Sequence, residues 1–266
     1  MKTGFAFTKF ADRLNSILPL PPEALELLSD MPSTIREFGS HQEIRRHGEG
    51  QSDCCLLLQG YMCWKDADRA NDQIVSVHVP GDVPDLYTVL SSRTEGRLCS
   101  LGPATVAFVP HGFFRKIGTG SELMARALSL LTLAETSRLR NWLVVLGSSD
   151  SCTRVAHLIC EIAVRLRVVG LVRDHQFTSP FTQSDLAAVC GISSVHANRT
   201  IQDLRRRGLL QWQSRTIKIT DWAGLVRLAR FNPEYLRLHQ SDQPEVGSHP
   251  PRMADIAEPA LSLPIY

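Results

Sequence analysis

The segment TQSDLAAVCGISSVHANRTIQDLRRRGLLQWQSRTIKIT, residues 182–220, contains two short helical patterns on either side of Gly191. Thr182 and Ser193 stand at the starts of the two patterns, and their hydroxyl oxygens can accept hydrogen bonds from the free N–H groups of a helix N-terminus. Two helices joined by a tight glycine-containing turn form a helix-turn-helix unit. The segment therefore predicts such a unit, with its second helix beginning at Ser193.

The second predicted helix has two chemically different faces. On a wheel of 100° per residue, Ala197, Ile201 and Leu204 fall together and predict the buried face. The opposite side offers an arginine suited to guanine, amides suited to adenine and a valine suited to the thymine methyl group. This side predicts base reading in a DNA groove. The predicted DNA-binding residues are Thr182, Gln183, Ser193, Ser194, Val195, His196, Asn198, Arg199, Gln202, Arg205 and Arg206.

The residues that follow the second helix have the pattern of a hairpin. Residues 209–213 and 216–220 alternate apolar and polar side chains around a turn at Ser214 and Arg215, as the strands of a two-stranded wing do. Asp221 then begins a closing helix. The whole segment therefore predicts a winged helix-turn-helix. Phosphate contacts that fix its position on DNA are expected from Arg205, Arg206, Arg207, Arg215 and Lys218.

Positive charge is concentrated in this part of the chain. The 266 residues carry a formal charge of only +2, but residues 182–239 hold nine basic against four acidic side chains. Residues 240–266 hold one basic against four acidic side chains. A basic block beside a larger, nearly neutral part indicates a surface that meets an anionic polymer.

The rest of the chain predicts a β domain and a long helix. Short apolar runs in residues 35–110 are separated by Gly and Pro, a pattern typical of a small all-β roll or sandwich. Residues 121–146 lack this punctuation. Their apolar rows at 123, 127, 130 and 134 and at 124, 128 and 131 predict a helix covered by the β domain on one side and by its own copy on the other. The predicted domains are an N-terminal helical segment at 1–34, a β-roll at 35–120, a dimerisation helix at 121–147, the winged helix-turn-helix at 148–239 and a disordered tail at 240–266, in an α+β fold.

Over about residues 20–239 the chain resembles the cyclic-AMP receptor/FNR (Crp/Fnr) superfamily of bacterial transcription regulators. The resemblance is strongest in FTQSDLA at 181–187, in VHANRTIQDLR at 195–205 and in the pattern DWxxLxxLAxFxPxYL at 221–236. It implies a cyclic-nucleotide-binding-like β-roll sensor, a long dimerisation helix and a C-terminal winged helix. It also places the family's base-reading arginine on Arg199, whereas Val195 stands where the family usually has a glutamate that accepts from cytosine. We therefore expect a palindromic operator with different inner bases.

The sensor segment departs from the cyclic-nucleotide pattern of that superfamily. The family's phosphate cassette contains Gly-Glu-Leu followed by Arg-Ser/Thr-Ala, and Asp85 and Arg93 are candidate relics of its glutamate and arginine. Pro84 removes a backbone donor, and Glu95 places a carboxylate where a phosphate would bind. We therefore do not expect cyclic AMP as the effector, and the effector stays open.

The seven cysteines do not form the pattern of a metal or cluster site. An iron–sulfur sensor of the family type needs four thiolates, several of them near the N-terminus, but the first cysteine is Cys54. We therefore expect neither an iron–sulfur cluster nor a metal site. Cys190 precedes the turn of the helix-turn-helix and is a candidate redox site, because its oxidation would disturb the docking of the second helix.

The sequence contains no enzyme motif, no secretory leader and no apolar run of about 18 residues, so we expect a non-enzymatic cytoplasmic protein that does not enter a membrane. Two functions remain. The first is a homodimeric transcription regulator whose partners are double-stranded DNA and, as a further candidate, RNA polymerase. The second is a small-molecule- or redox-sensing regulatory protein whose winged helix mediates protein contacts. The base-reading side of the second helix favours the first.

Overall fold

The computed structural model of the protein describes residues 7–68 and 73–239. A β-roll is followed by one long helix and a winged helix-turn-helix, which confirms the predicted α+β fold class. The elements are α1 (Thr8–Ile17), α2 (Pro22–Glu26), β1 (Thr34–Phe38), β2 (Glu43–Arg45), β3 (Asp53–Gln59), β4 (Met62–Lys65), β5 (Ile74–His78), α3 (Thr88–Ser91), β6 (Arg97–Ser100), β7 (Ala104–Pro110), α4 (His111–Gly120), α5 (Glu122–Ser148), α6 (Ser151–Val168), β8 (Gln176–Thr178), α7 (Gln183–Cys190), α8 (Ser194–Arg206), β9 (Leu210–Gln213), β10 (Thr216–Ile219), α9 (Trp222–Ala229) and a 3-10 turn (Pro233–Leu236).

The β-roll consists of two antiparallel sheets with strand orders β1-β7-β3 and β2-β6-β4-β5. Successive side chains of a strand point to opposite faces of a sheet. In β3, Cys55 therefore packs between the two sheets with Trp64 and Leu98, whereas its neighbour Cys54 packs on the outer face. Each sheet thus has an inner face in the inter-sheet core and an outer face that helices must cover.

Helices cover both outer faces of the β-roll. On one side, Phe10 of α1 meets Phe114 of α4 edge-on at 6.4 Å, and both pack with Met124 of α5. On the other side, Cys63 and Val77 belong to one continuous apolar core with side chains of α6 and α7. The β-roll and the winged helix therefore share a core rather than being joined only by a linker.

The helix α5 connects the two domains. Its 27 residues span about 40 Å at 1.5 Å per residue. It begins at its N-cap Ser121, whose hydroxyl accepts from the backbone N–H of Met124 at 3.3 Å. Met124 lies in the β-roll core, whereas Trp142 and Val145 lie in the core shared with the winged helix.

Part of one face of α5 is left uncovered by residues 7–68 and 73–239, and some of its residues lie outside the rows predicted from the sequence. Leu133 and Val144 are 39% and 65% exposed, although neither belongs to the predicted rows. Of the predicted row members, Met124, Ala127 and Ala134 are buried by the chain's own domains. The uncovered face follows alternating steps of three and four residues, the spacing of a coiled-coil seam. We call this row the α5 seam, which consists of the exposed Leu133, Arg140 and Val144 and the half-buried Leu130 and Ser137.

The winged helix closes around Leu186, Ala197 and Leu204, which are fully buried. The predicted hairpin is present as β9 and β10, and a third strand, β8, was not predicted from the sequence. In β10, Ile217 lies opposite Phe177 of β8 and opposite Trp212 of β9. The predicted disordered tail at 240–266 lies outside the described residues, so it stays a prediction.

Candidate nucleic-acid interface

The first helix of the helix-turn-helix, α7, is fixed at its N-terminus by a capping box. The hydroxyl of Thr182 accepts from the backbone N–H of Asp185 at 3.1 Å, and the Asp185 carboxylate accepts from the backbone N–H of Thr182 at 2.9 Å. The helix ends at Gly191, whose φ of +62° lies in the left-handed region that favours glycine. This cap leaves Thr182 and Gln183 exposed at the start of α7.

The second helix, α8, rests on a small buried face. Its N-cap Ser193 accepts from the backbone N–H of His196 at 3.2 Å. Of the predicted inward residues, Ala197 and Leu204 are fully buried and Ile201 is partly buried. Thr200 is also buried, which the sequence reasoning did not predict. The inner face therefore fixes which side chains of α8 point to solvent.

The outer face of α8 is exposed as predicted from the helical wheel. Val195 is 65% exposed, and within residues 7–68 and 73–239 no side chain pairs with the exposed Arg199 guanidinium. Arg206 lies 3.2 Å from the Asp203 carboxylate in an exposed pair. The predicted DNA-binding residues that are exposed are Thr182, Gln183, Ser193, Ser194, Val195, His196, Arg199, Gln202, Arg205 and Arg206, and Asn198 is half-buried.

Two residues of α6 that the sequence reasoning missed contact the helix-turn-helix. The Arg154 guanidinium donates to the carbonyl oxygen of Ser149 at 2.9 Å and to that of Cys190, beside the turn, at 3.1 Å. The Ser151 hydroxyl lies 2.7 Å from His196 Nε2. These contacts bring together residues about 40 positions apart, so no local spacing could have revealed them.

The wing presents further basic side chains next to the helices. Ser214 at the tip of the hairpin has a φ of +52°, which lets the chain reverse direction within two residues. Arg215 and Lys218 are exposed on this hairpin. The wing is anchored by the backbone, since the N–H of Ser179 donates to the Arg215 carbonyl oxygen at 2.7 Å.

The structure corrects the redox interpretation of Cys190. The side chain is fully buried at the end of α7, and burial raises the pKa of its thiol to about 12. Reactive cysteines are accessible and have a lowered pKa, because the thiolate is the species that is oxidised. Cys190 therefore has the properties of a packing residue and not of a redox sensor.

The two candidate effector residues occupy different environments. Asp85 is buried inside the β-roll, where its carboxylate accepts from the backbone N–H of Cys55 at 2.7 Å and from Arg45 Nε at 3.2 Å. The side chain of Arg93 is exposed. A cleft opens between the turn that starts at Asp82 and the helix α5, and neither Asp85 nor Arg93 is among its described lining residues.

The described part of the chain offers neither of two further classes of site. There, no cluster of three or more His, Cys, Asp or Glu side chains is arranged to hold a metal ion. None of the helices in that part combines the length and the apolar character that a membrane crossing requires.

Known proteins share both the DNA-binding segment and the fold. Residues 153–228 match the Crp-like helix-turn-helix domain family. The transcriptional activator protein FnrA of Stutzerimonas stutzeri is 19% identical over 80% of this chain and 87% of its own length. The nitrogen fixation regulation protein FixK of Bradyrhizobium diazoefficiens is 28% identical over 65% of this chain and 72% of its own length. The solved structure of FixK2 from Bradyrhizobium japonicum, at 20% identity, has a TM-score of 0.66 and covers 74% of this chain and 98% of that one.

The fold and the interface define a DNA-binding regulator in which a cyclic-nucleotide-binding-like β-roll is joined by a long helix to a winged helix. Residues 153–228 belong to the Crp-like helix-turn-helix domain family, and the similarity to FnrA and FixK supports a Crp/Fnr-type transcription regulator.

Proposed function

We propose that the protein is a cytoplasmic, homodimeric and non-enzymatic regulator that reads a palindromic operator with α8 and does not depend on cyclic AMP. One observation carries the proposal: Arg199 is exposed on the outer side of a helix that is anchored by Ala197 and Leu204, and no described side chain pairs with its guanidinium. Such a guanidinium gives up no existing ion pair when it binds a base. Arginine forms two parallel hydrogen bonds with O6 and N7 of guanine, which is a common sequence-specific contact.

The residues around Arg199 divide into two groups. Val195 is suited to a thymine methyl group, and the amides of Asn198 and Gln202 are suited to adenine. The second group positions the protein on phosphates and does not read sequence. It consists of Thr182, Gln183, Ser193, Ser194, His196, Arg205 and Arg206, with Arg215 and Lys218 on the wing.

The α5 seam supports the homodimer. Its apolar members Leu130, Leu133 and Val144 are spaced as the a and d positions of a coiled coil, and no described part of the chain covers Val144. A second α5 would bury these side chains across a two-fold axis. Because a two-fold axis places two α8 helices symmetrically, the dimer would read two half-sites about 34 Å apart, which is one turn of DNA.

Independence from cyclic AMP is supported by the sensor. The Asp85 carboxylate, the candidate relic of the family's ribose-binding group, is already occupied by Arg45 and a backbone N–H. Pro84 provides no backbone donor, and Glu95 is an exposed carboxylate close to Arg93 in sequence. A phosphate at this place would find fewer donors and more negative charge than in a cyclic-nucleotide site.

Selection of duplexes from a random pool with the purified protein tests the proposal. We expect enrichment of a palindrome whose half-site centres are about 10 base pairs apart, and the same enrichment with 1 mM cyclic AMP present or absent. The variant Val195→Glu is the specificity control. It should change the preferred base at one position per half-site towards cytosine, because a glutamate accepts from cytosine N4.

The outcomes separate this function from the alternative one. If no sequence is enriched and binding is weak and equal on all duplexes, the winged helix is not a sequence reader, and protein contacts become the better explanation. If a palindrome is enriched, a promoter carrying it serves to test contact with RNA polymerase, which we include in the proposal. We expect the protein to change the amount of polymerase retained on that promoter and not on one with a scrambled site.

A further inference from the structure

An arginine of the winged-helix domain is buried against the sensor domain. Arg165 lies in α6, and its side chain is 0% exposed. Its Nη1 donates to the carbonyl oxygen of Val77 in β5 at 2.8 Å and to Glu161 at 3.1 Å. Its Nη2 donates to the carboxylate of Asp82 in the sensor. The guanidinium is therefore shared between the two domains.

Asp82 is held in place by the sensor itself. Its carboxylate accepts from the backbone N–H of Val79 at 2.9 Å, and Arg13 Nε of α1 lies 3.5 Å from its other oxygen. Gly81, directly before it, has a φ of +95°, and a Cβ there would lie 2.5 Å from the carbonyl oxygen of Lys9. The turn and α1 are thus packed so closely that only glycine fits, and a movement of either one would displace the Asp82 carboxylate.

The pair belongs to a larger group of buried charges at the junction of the domains. Arg138 of α5 lies 3.0 Å from Glu135 and 3.5 Å from Glu161 of α6. Three guanidinium groups and three carboxylates balance one another, so the group can be buried without net charge. We call it the interdomain charge cluster, which consists of Arg13, Asp82, Glu135, Arg138, Glu161 and Arg165.

Further contacts between the sensor and the winged helix surround this cluster. The hydroxyl of Tyr61 donates to the carbonyl oxygen of Thr178 in β8. Gln73 donates to the carbonyl oxygen of Ala188 in α7 at 2.5 Å. The strand β8 and the helix α7 are therefore both attached to the β-roll in this arrangement.

We propose that the interdomain charge cluster is a lock that holds the winged helix in one orientation on the sensor, with the Asp82–Arg165 pair as its centre. The lock couples the sensor to DNA binding: displacement of the Asp82 turn or of α1 releases α6 and, with it, the fixed position of α8. This inference rests on the proposed function only in its effect on operator spacing. The lock itself is a property of the folded chain.

The chemistry of the cluster favours a role in orientation over a role in stability. A buried ion pair often contributes no more net stability than apolar side chains of the same size, because both ions lose their hydration. It does, however, require one relative position of the two charged groups, because a charge whose partner moves away stays buried without compensation. A pair of apolar side chains at the same place would remain in favourable contact if the two domains shifted relative to each other.

The double variant Asp82→Leu/Arg165→Met tests the lock, because it removes one charge of each sign and leaves two guanidinium groups and two carboxylates in the cluster. Amide hydrogen exchange is compared in β5, in α7 and in the inter-sheet strand β3. We expect exchange in α7 to rise at least tenfold while exchange in β3 stays within twofold of the unaltered protein. Exchange in α7 that stays within twofold overturns the proposal.

Arg97→Met provides the matched control. Arg97 is also a buried arginine, but its Nε donates to the carbonyl oxygen of Asp66 within the β-roll at 2.9 Å. Its replacement should therefore loosen the β-roll and leave exchange in α7 within twofold. If Arg97→Met raises exchange in α7 as much as the double variant does, general destabilisation explains the effect and the lock is overturned.

Operator spacing tests the consequence for DNA binding. The unaltered protein should prefer one half-site spacing over a spacing longer by two base pairs, and the double variant should lose at least tenfold of this preference. Its affinity for a single half-site should stay within threefold. A preference that survives in the double variant contradicts the coupling. If the unaltered protein binds no palindrome at all, the proposed function fails, and hydrogen exchange still decides whether the lock exists.

Discussion

The α5 seam predicts that two exposed side chains hold a dimer together. Val144 is 65% exposed and Leu133 is 39% exposed. Full burial of such a side chain contributes about 1.5–3 kcal/mol, so their exposed parts offer about 1–2 kcal/mol for Val144 and about 0.5–1 kcal/mol for Leu133. Each occurs twice across a two-fold axis. Leu133→Ser combined with Val144→Ser should therefore weaken the dimer by about 3–6 kcal/mol, or about 10²- to 10⁴-fold in Kd.

Sedimentation equilibrium over a wide range of protein concentrations measures this change directly. The control is Leu90→Ser, because Leu90 is 93% exposed on α3, away from the seam. If general surface apolarity drives association, the control should have the larger effect. The reasoning is refuted if the double seam variant dimerises with the Kd of the unaltered protein, or if Leu90→Ser weakens the dimer equally.

Three further predictions concern stability and reactivity. Thr182→Ala removes the capping box of α7 and should lower the free energy of unfolding by about 1 kcal/mol in urea titrations, and no change in midpoint would contradict the cap. Burial alone would raise the pKa of Asp82, but the guanidinium groups of Arg165 and Arg13 hold it well below its ordinary value of 3.8. Its carboxylate therefore stabilises the folded state above pH 3.8, and this contribution is lost as the pH falls through the folded pKa. The difference in the free energy of unfolding between the unaltered protein and Asp82→Asn should accordingly shrink below about pH 4 and not above it. Burial raises the pKa of the Cys190 thiol from 9.0 to about 12, so it should carry about a thousandfold less thiolate than a free cysteine. It should therefore react with iodoacetamide in urea but not in the native protein, which peptide mass spectrometry would show.

The winged helix could be predicted because its signals are local. The capping residues Thr182 and Ser193, the turn at Gly191 and the hairpin each depend on neighbours within a few positions. The buried face of α8 followed from helical periodicity, and Ala197 and Leu204 are indeed fully buried. Local propensity and periodicity determine these features, so they could be predicted from the sequence of this chain alone.

Features that depend on tertiary contacts could not be predicted in the same way. Arg154 and Ser151 reach the helix-turn-helix across about 40 residues, and Arg165 reaches Asp82 across 83. Which apolar residues of α5 the chain's own domains cover could not be predicted, because periodicity does not show it. Cys190 was interpreted from its position in the turn, whereas its burial, which sets its reactivity, follows only from packing.

The central claim is that α8 reads DNA sequence through Arg199. Its most direct test is the affinity of Arg199→Ala for the selected palindrome and for a scrambled duplex at the same salt concentration. A bidentate contact with guanine contributes about 1–3 kcal/mol, and the dimer makes two of them. We therefore expect the variant to lose about 30-fold or more in affinity for the palindrome and less than threefold for the scrambled duplex. An equal loss on both duplexes would show that Arg199 contacts only phosphates, and would contradict the account.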